Sequence, residues 1–157
     1  MPRLALVLSR MFVDAIRSGF FVFLILIFGL LMGADIQSGF RGFIAILALG
    51  MLFGLAYSGI GIGVALLTGN AQTAQVGFLL FFPLMFLAPT FVPRELFEPW
   101  MQALASLNPV TYMIEGLREL VLMGWNTESL LKAFSAITGF AIFTTSFSIW
   151  ALQARLK

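Results

Sequence analysis

Long uncharged runs alternate along this chain with short charged or polar interruptions. Arg17 and Asp35 bracket the apolar run GFFVFLILIFGLLMGA at 19–34, which Ser18 extends to 18–34. The next charges are Arg41 and Arg94, and the uncharged stretch between them is too long for one element. It divides at TGNAQTAQ, 68–75, a polar cluster with a Gly-Asn turn signal. Runs at 43–67 and 76–92 result, and a last run fills 133–153 between Lys132 and Arg155. None alternates with the period of two that a lipid-facing barrel strand requires. A helix of about 20 apolar residues crosses a bilayer. The pattern therefore predicts an all-α integral membrane protein with about four transmembrane helices, forming a single domain over 1–157.

Two further helical segments flank these runs. Arg3, Arg10, Asp14 and Arg17 interleave with Leu4, Val7, Leu8, Met11, Phe12 and Ile16, which predicts an amphipathic, interfacial lead-in helix over 3–17. That long stretch, its Asp14 and the Met32-Gly33-Ala34 exit favour a retained span over a cleaved signal. Residues 94–130, with an outer hairpin over 94–124, are too polar to span and too apolar for a free loop. Leu96, Phe97, Trp100, Met101, Leu104 and Leu107 fall on one helical stripe. Asn108 is a strong N-cap and Pro109 suits the first helical position, so a second helix starts there. Val110, Met113, Ile114, Leu117 and Val121 form its apolar stripe, and Gly124 is its stop. Glu115 and Arg118, three apart, are placed to pair. Trp100 and Trp125 suit the headgroup layer. The prediction is a helical hairpin lying in, or dipping into, the outer leaflet. Periodicity fits a plain connector as well as a functional element.

Composition narrows the class. Of 157 residues, 61% are hydrophobic and 10% charged, against about 25% charged in an ordinary soluble domain. Too little charge remains to cover a water-facing surface. The net charge of +2 comes from scattered basic residues, not from a nucleic-acid footprint. With neither Cys nor His, the chain has no disulfide scaffold, no imidazole metal ligand and no His-based triad. No catalytic, cofactor-binding or metal site is expected. The four core runs carry no Asp, Glu, Lys or Arg, which disfavours a proton-driven carrier. Gly59-Ile60-Gly61-Ile62-Gly63 is not a nucleotide loop, because Val64 stands where its last glycine belongs. There is no GxxxxGK[ST], so any energy from ATP comes from another chain. Four crossings put both termini on one side, with Arg3, Arg10, Arg17, Arg155 and Lys157; Arg41, Arg94, Arg118 and Lys132 share the other. The positive-inside rule favours cytoplasmic termini.

Inside the runs, three features bear on packing. Gly29/Gly33, Gly50/Gly54/Ser58 and Gly59/Gly63 have the four-residue spacing that lets helices approach closely. Pro83 and Pro89 lie within the third run and Pro93 ends it, predicting a bent or broken helix. Tyr57, Ser58, Thr138, Thr144, Thr145, Ser146 and Ser148 could line a polar face. Bonding back to their own helix or gluing neighbours is the commoner use.

Asn108-Pro109-Val110-Thr111-Tyr112, followed by Glu115-Gly116-Leu117-Arg118, resembles the NPxTYxxEGxR element of type-2 ABC export permeases. Pro83-Leu84-Met85-Phe86 and Phe91-Val92-Pro93 are similar to that family's PLxFLSxxFxP run, with Ala88 replacing the frequent Ser. The daunorubicin-resistance-type exporters are the subgroup most resembled. The resemblance implies that the four spans match the family's last four, the first two being absent from this sequence. It further implies a multi-pass subunit of the inner (plasma) membrane that exports drugs, lipids or glycan-lipids with an ABC ATPase and a second permease copy. It makes Asn108, Pro109, Tyr112, Glu115, Gly116 and Arg118 an outer gate, and Pro83, Pro89 and Pro93 a helix kink. Arg10, Asp14, Arg17, Asn70 and Gln72, in 1–17 and the 68–75 loop, would face the ATPase. A non-transport scaffold subunit and a truncated, nonfunctional permease are the competing readings.

Overall fold

The structure, a computed structural model, describes residues 2–70, 72–73 and 76–154. Of the residues singled out above, Gln75, Arg155, Lys157 and the side chains of Arg3 and Leu4 lie outside the described set. The described residues fold into α1 (Pro2–Leu31), α2 (Gly39–Thr68), α3 (Val76–Phe86), α4 (Pro99–Leu107), α5 (Pro109–Leu122) and α6 (Thr127–Ala154), with a 3-10 turn at Arg94–Leu96 before α4. This is the all-α membrane architecture the runs predict. Three helices among the described residues are long and apolar enough to cross a membrane: Ala5–Leu31, Gly39–Thr68 and Thr127–Ala154.

The lead-in stretch is continuous with the first span in one thirty-residue helix. Part of its apolar stripe packs on the protein: Val7 and Met11 are buried against Leu152 and lean on Leu55, Ile62 and Leu66, whereas Leu8, Phe12 and Ile16 are exposed. α1 ends at Gly33, whose φ of +89° is open to glycine. The Ala34 amide closes the last turn on the Gly29 carbonyl.

α2 is the central helix, and its small residues serve two different neighbours. Gly50 lies under Val22, and Gly54 under Ser18 of α1. The Ser18 hydroxyl donates to the Gly50 carbonyl at 2.9 Å. Gly59 and Gly63 face Thr144 and Phe147 of α6. The Gly29/Gly33 spacing packs no helix: Gly33 is the stop of α1, and a Cβ on Gly29 would meet no other helix, only Ala34. Ser58 bonds back to the Leu55 carbonyl.

α2 and α6 run parallel. Ala45, Ile46 and Leu49 pack with Leu130 and Ala133 at one end, and Ala56 packs with Ile137 and Ala141 further on. A parallel pair requires the chain to return across the layer between them. The sequence predicts a third span over 76–92 for that return. The helix stops at Phe86, and its eleven residues reach only about 16 Å, roughly half of a hydrocarbon core about 30 Å thick. Pro89 disfavours helix at Ala88, and Pro93 prevents a restart. The rest of the return is irregular backbone, 87–93, followed by the hairpin.

Candidate functional site: the hairpin and the broken crossing

The hairpin forms where the stripe and cap predict. Asn108 has extended backbone, and its Oδ1 accepts the Val110 N–H at 3.0 Å. Pro109 is the first helical residue, so its missing N–H leaves no gap. α5 ends before Gly124, whose φ is +106° and whose amide donates to the Glu119 carbonyl.

α5 is built into the body of the protein. Val110, Thr111, Gly116 and Leu120 are buried. Gly116 has a packing role: a Cβ there would stand 2.9 Å from that of Ala133 on α6. Ser38, ahead of α2, donates its hydroxyl and amide to the Leu120 carbonyl, and the Gln37 amide donates to Val121. Nothing in the sequence around Ser38 signals this tie, because it spans 82 residues.

α4 is held differently. Ala105 is its buried residue, whereas Leu96, Trp100, Leu104 and Leu107 are exposed. The apolar stripe read from the sequence thus faces away from the chain's own core. α4 is tied at its end, where the Tyr112 hydroxyl donates to the Ser106 carbonyl at 2.8 Å. At its start, Gln102 Nε2 donates to Phe97 O at 2.9 Å.

The hairpin tip is level with the middle of α6. Leu107, Pro109 and Tyr112 share a small cleft with Ala136 and Phe140, about 14–20 Å along α6 from Thr127. The tip also touches the broken crossing, where Asn108 Nδ2 donates to the Leu84 carbonyl. Higher up, the Arg118 guanidinium donates to Pro89 O at 2.6 Å and to Thr90 O at 3.3 Å.

These bonds correct one expectation. Glu115 and Arg118 do not pair. Arg118 is committed to carbonyls of the irregular segment, and Glu115 takes Arg94 at 3.5 Å. Arg94 also lies over the Tyr112 ring, 6.0 Å from its centroid. A two-element contact has replaced the short-range pairing that helix spacing allows. Pro83 stands inside α3, Pro89 is buried and Pro93 precedes the 3-10 turn.

A cavity of about 630 Å³ opens between α5, the start of α6 and the chain at 93–95. Its walls carry both signs of charge, from Arg94, Glu115, Arg118, Glu119 and Lys132. Glu119 Oε2 and Thr111 Oγ1 are buried without a hydrogen-bond partner. Glu119 is outside the motif residues named from the sequence.

The residues expected to face an ATPase do not converge. Asn70 and Gln72 share one turn, in which Asn70 Oδ1 accepts the Gln72 amide at 2.9 Å. Arg10 and Arg17 are exposed and Asp14 is half-buried, all on α1. The Asp14 carbonyl would lie 3.2 Å from a Cβ on Gly54, so Asp14 and Arg17 stand level with the middle of α2. The span hydroxyls mostly follow the commoner use. Thr144 bonds back to Ala141 O, Ser148 donates to Gly59 O, and Thr138 and Ser146 are exposed.

Comparison with known proteins agrees with an all-α membrane protein. Residues 1–122 match the family described as ABC-2 type transporter, and the chain belongs to that family. It is 28% identical over 94 residues to the daunorubicin resistance ABC transporter permease protein DrrB1 of Streptomyces coeruleorubidus, covering 59% of this chain and 33% of that protein. It is 29% identical over 117 residues to the putative transport permease ycf38 of Cyanophora paradoxa, covering 74% of this chain and 40% of the relative. The ycf38 protein of Pyropia yezoensis is 33% identical over 92 residues, covering 52% and 32%. The chain thus spans about a third of the length of these relatives. No solved structure matches.

Proposed function

We propose that this chain is membrane-spanning permease material of an ATP-driven exporter, moving a hydrophobic or amphiphilic substrate outward. Membership of the ABC-2 type transporter family over 1–122 carries this reading. The drug-resistance name of one relative supports an amphiphilic substrate. A separate ABC ATPase supplies the energy, since the sequence holds no phosphate-binding loop. The coupling free energy therefore enters from outside the chain. Arg10 is exposed and forms no ion pair among the described residues, which leaves it available to a partner, whereas Arg17, level with the middle of α2, is set too deep for that role. Two copies enclose the path. Both termini lie in the cytoplasm, and the hairpin end faces outward in the inner (plasma) membrane. The charged cavity at that end suits a polar exit vestibule, and Asn108, Tyr112, Glu115 and Arg118 hold its cover.

Reconstitution into liposomes with and without the cognate ATPase tests the proposal. Alone, the protein should move nothing and hydrolyse nothing. With the ATPase, it should co-purify and give ATP-dependent efflux. Transport by the chain alone under a proton gradient would overturn the ATP-driven reading. Failure to bind the ATPase would point to a scaffold or to an inactive fragment.

A further inference from the structure

The broken crossing raises a question of backbone satisfaction. Irregular backbone at membrane depth persists only where protein replaces the bonds a helix would have made. Three carbonyls around the break find local donors. Pro83 O accepts the Leu87 amide, Met85 O accepts the Ala88 amide and the Thr90 hydroxyl, and Ala88 O accepts the Thr90 amide. Leu84 O, Pro89 O and Thr90 O are instead taken by side chains from α5, namely Asn108 and Arg118. Ala88 and Pro89 are buried, so water is a poor substitute there.

Asn108 therefore has two separate duties. Its Oδ1 caps α5 through Val110, and its Nδ2 serves Leu84. Arg118 sits ten residues on, and one nitrogen of its guanidinium, Nη2, donates to two successive carbonyls. Glu115, between them, holds Arg94 at the far end of the segment. The two sequence elements, one around Pro83 to Pro93 and the other from Asn108 to Arg118, are thus laced together at three levels.

We infer that Asn108 and Arg118 are positioning residues that fasten the unwound half of the third crossing to α5, so that 84–94 and α5 move as one body. α5 is itself seated on α6 through Gly116 and tied ahead of α2 through Ser38. The inference rests on the bonds themselves; under the transport reading it names which parts of the outer cover stay fixed.

Pulsed electron resonance on the full-length protein in lipid nanodiscs tests it, using paired spin labels on introduced cysteines. One pair joins Phe91 to Leu122, across the tie. A reference pair joins Leu122 to Leu131, within the α5–α6 contact. All three positions are exposed. Asn108→Ser keeps a capping oxygen and is too short to reach Leu84, so it separates the cap from the tie. Arg118→Met removes both donors, and Arg118→Lys retains one charged donor group. In Asn108→Ser and Arg118→Met the detached population across the tie should rise about tenfold or more, with the reference distance unchanged. Arg118→Lys should restore part of the order. An unchanged Phe91–Leu122 distribution in both variants would overturn the inference. So would equal broadening of the reference pair, which would mean that the two residues serve the whole fold. The measurement needs neither ATPase nor substrate, so its failure is distinct from failure of the transport reading.

Discussion

Ser148 of α6 donates its hydroxyl to the backbone carbonyl of Gly59 on α2 at 2.6 Å, across the closest approach of two parallel helices. The bond requires both a glycine and a small hydroxyl. A Cβ on Gly59 would stand 2.9 Å from Thr144 Cβ and 3.0 Å from its backbone carbon. Backbone cannot swing away as a long side chain can. Gly59→Ala should therefore destabilise the protein by about 1–3 kcal/mol through overpacking. Gly139, on the same helix as Ser148, has nothing within 4 Å. Gly139→Ala should be neutral or stabilising, by up to about 1 kcal/mol. Denaturant unfolding in mixed micelles measures both, and equal effects would refute the close-packing account.

The Arg94–Glu115 pair bridges the crossing to α5, and its side chains are 35% and 31% exposed. At that exposure its contribution is small. A double-mutant cycle on stability should return about 0.2–1 kcal/mol of coupling. The Glu115–Arg118 cycle should be additive, because Arg118 bonds carbonyls instead. Coupling confined to Glu115 and Arg118 would mean that helix spacing decides the partner after all.

Local signals in the sequence disclosed local structure. The Asn108-Pro109 cap, the Gly124 stop and the apolar runs depend on neighbours within a few residues, and all but the second half of the 76–92 run reappear in the helices. Gly50/Gly54 and Gly59/Gly63 were recognisable as packing sites, but not which helix each would meet. That choice depends on the faces of α1 and α6, which lie far away in sequence. The three prolines announced a break without saying how its carbonyls would be satisfied. The answer lies in side chains 24 to 29 residues further on, at Asn108 and Arg118. Spacing on one helix suggested Glu115 with Arg118, since a one-helix pattern contains no information about an irregular segment packed beside it.

The proposed orientation, with cytoplasmic termini, rests on the distribution of basic residues along the sequence. Gln72 and Glu128 are both exposed, at opposite ends. The natural sequence has no cysteine, so single probes at these positions report without background. Glu128→Cys should react with an impermeant thiol reagent added outside intact cells. Gln72→Cys should react only after the membrane is opened. The reverse pattern would invert the proposed topology.

The depth of the hairpin tip separates a surface helix pair from one that enters the bilayer. Leu107 and Met123 are equally exposed, each at 82%. Leu107 sits at the tip, beside Ala136 and Phe140, about 14–20 Å along α6 from Thr127. Met123 follows the end of α5, next to the chain that enters α2. With a hydrocarbon core about 30 Å thick, that difference is close to half its depth. A fluorophore on Leu107→Cys should be quenched most by lipids brominated near the middle of the acyl chain. One on Met123→Cys should be quenched most by a headgroup quencher. Matching depth profiles for the two labels would lay the hairpin flat on the membrane. The Asn108 tie to Leu84 would then have to form at the surface, where water competes for the same carbonyl.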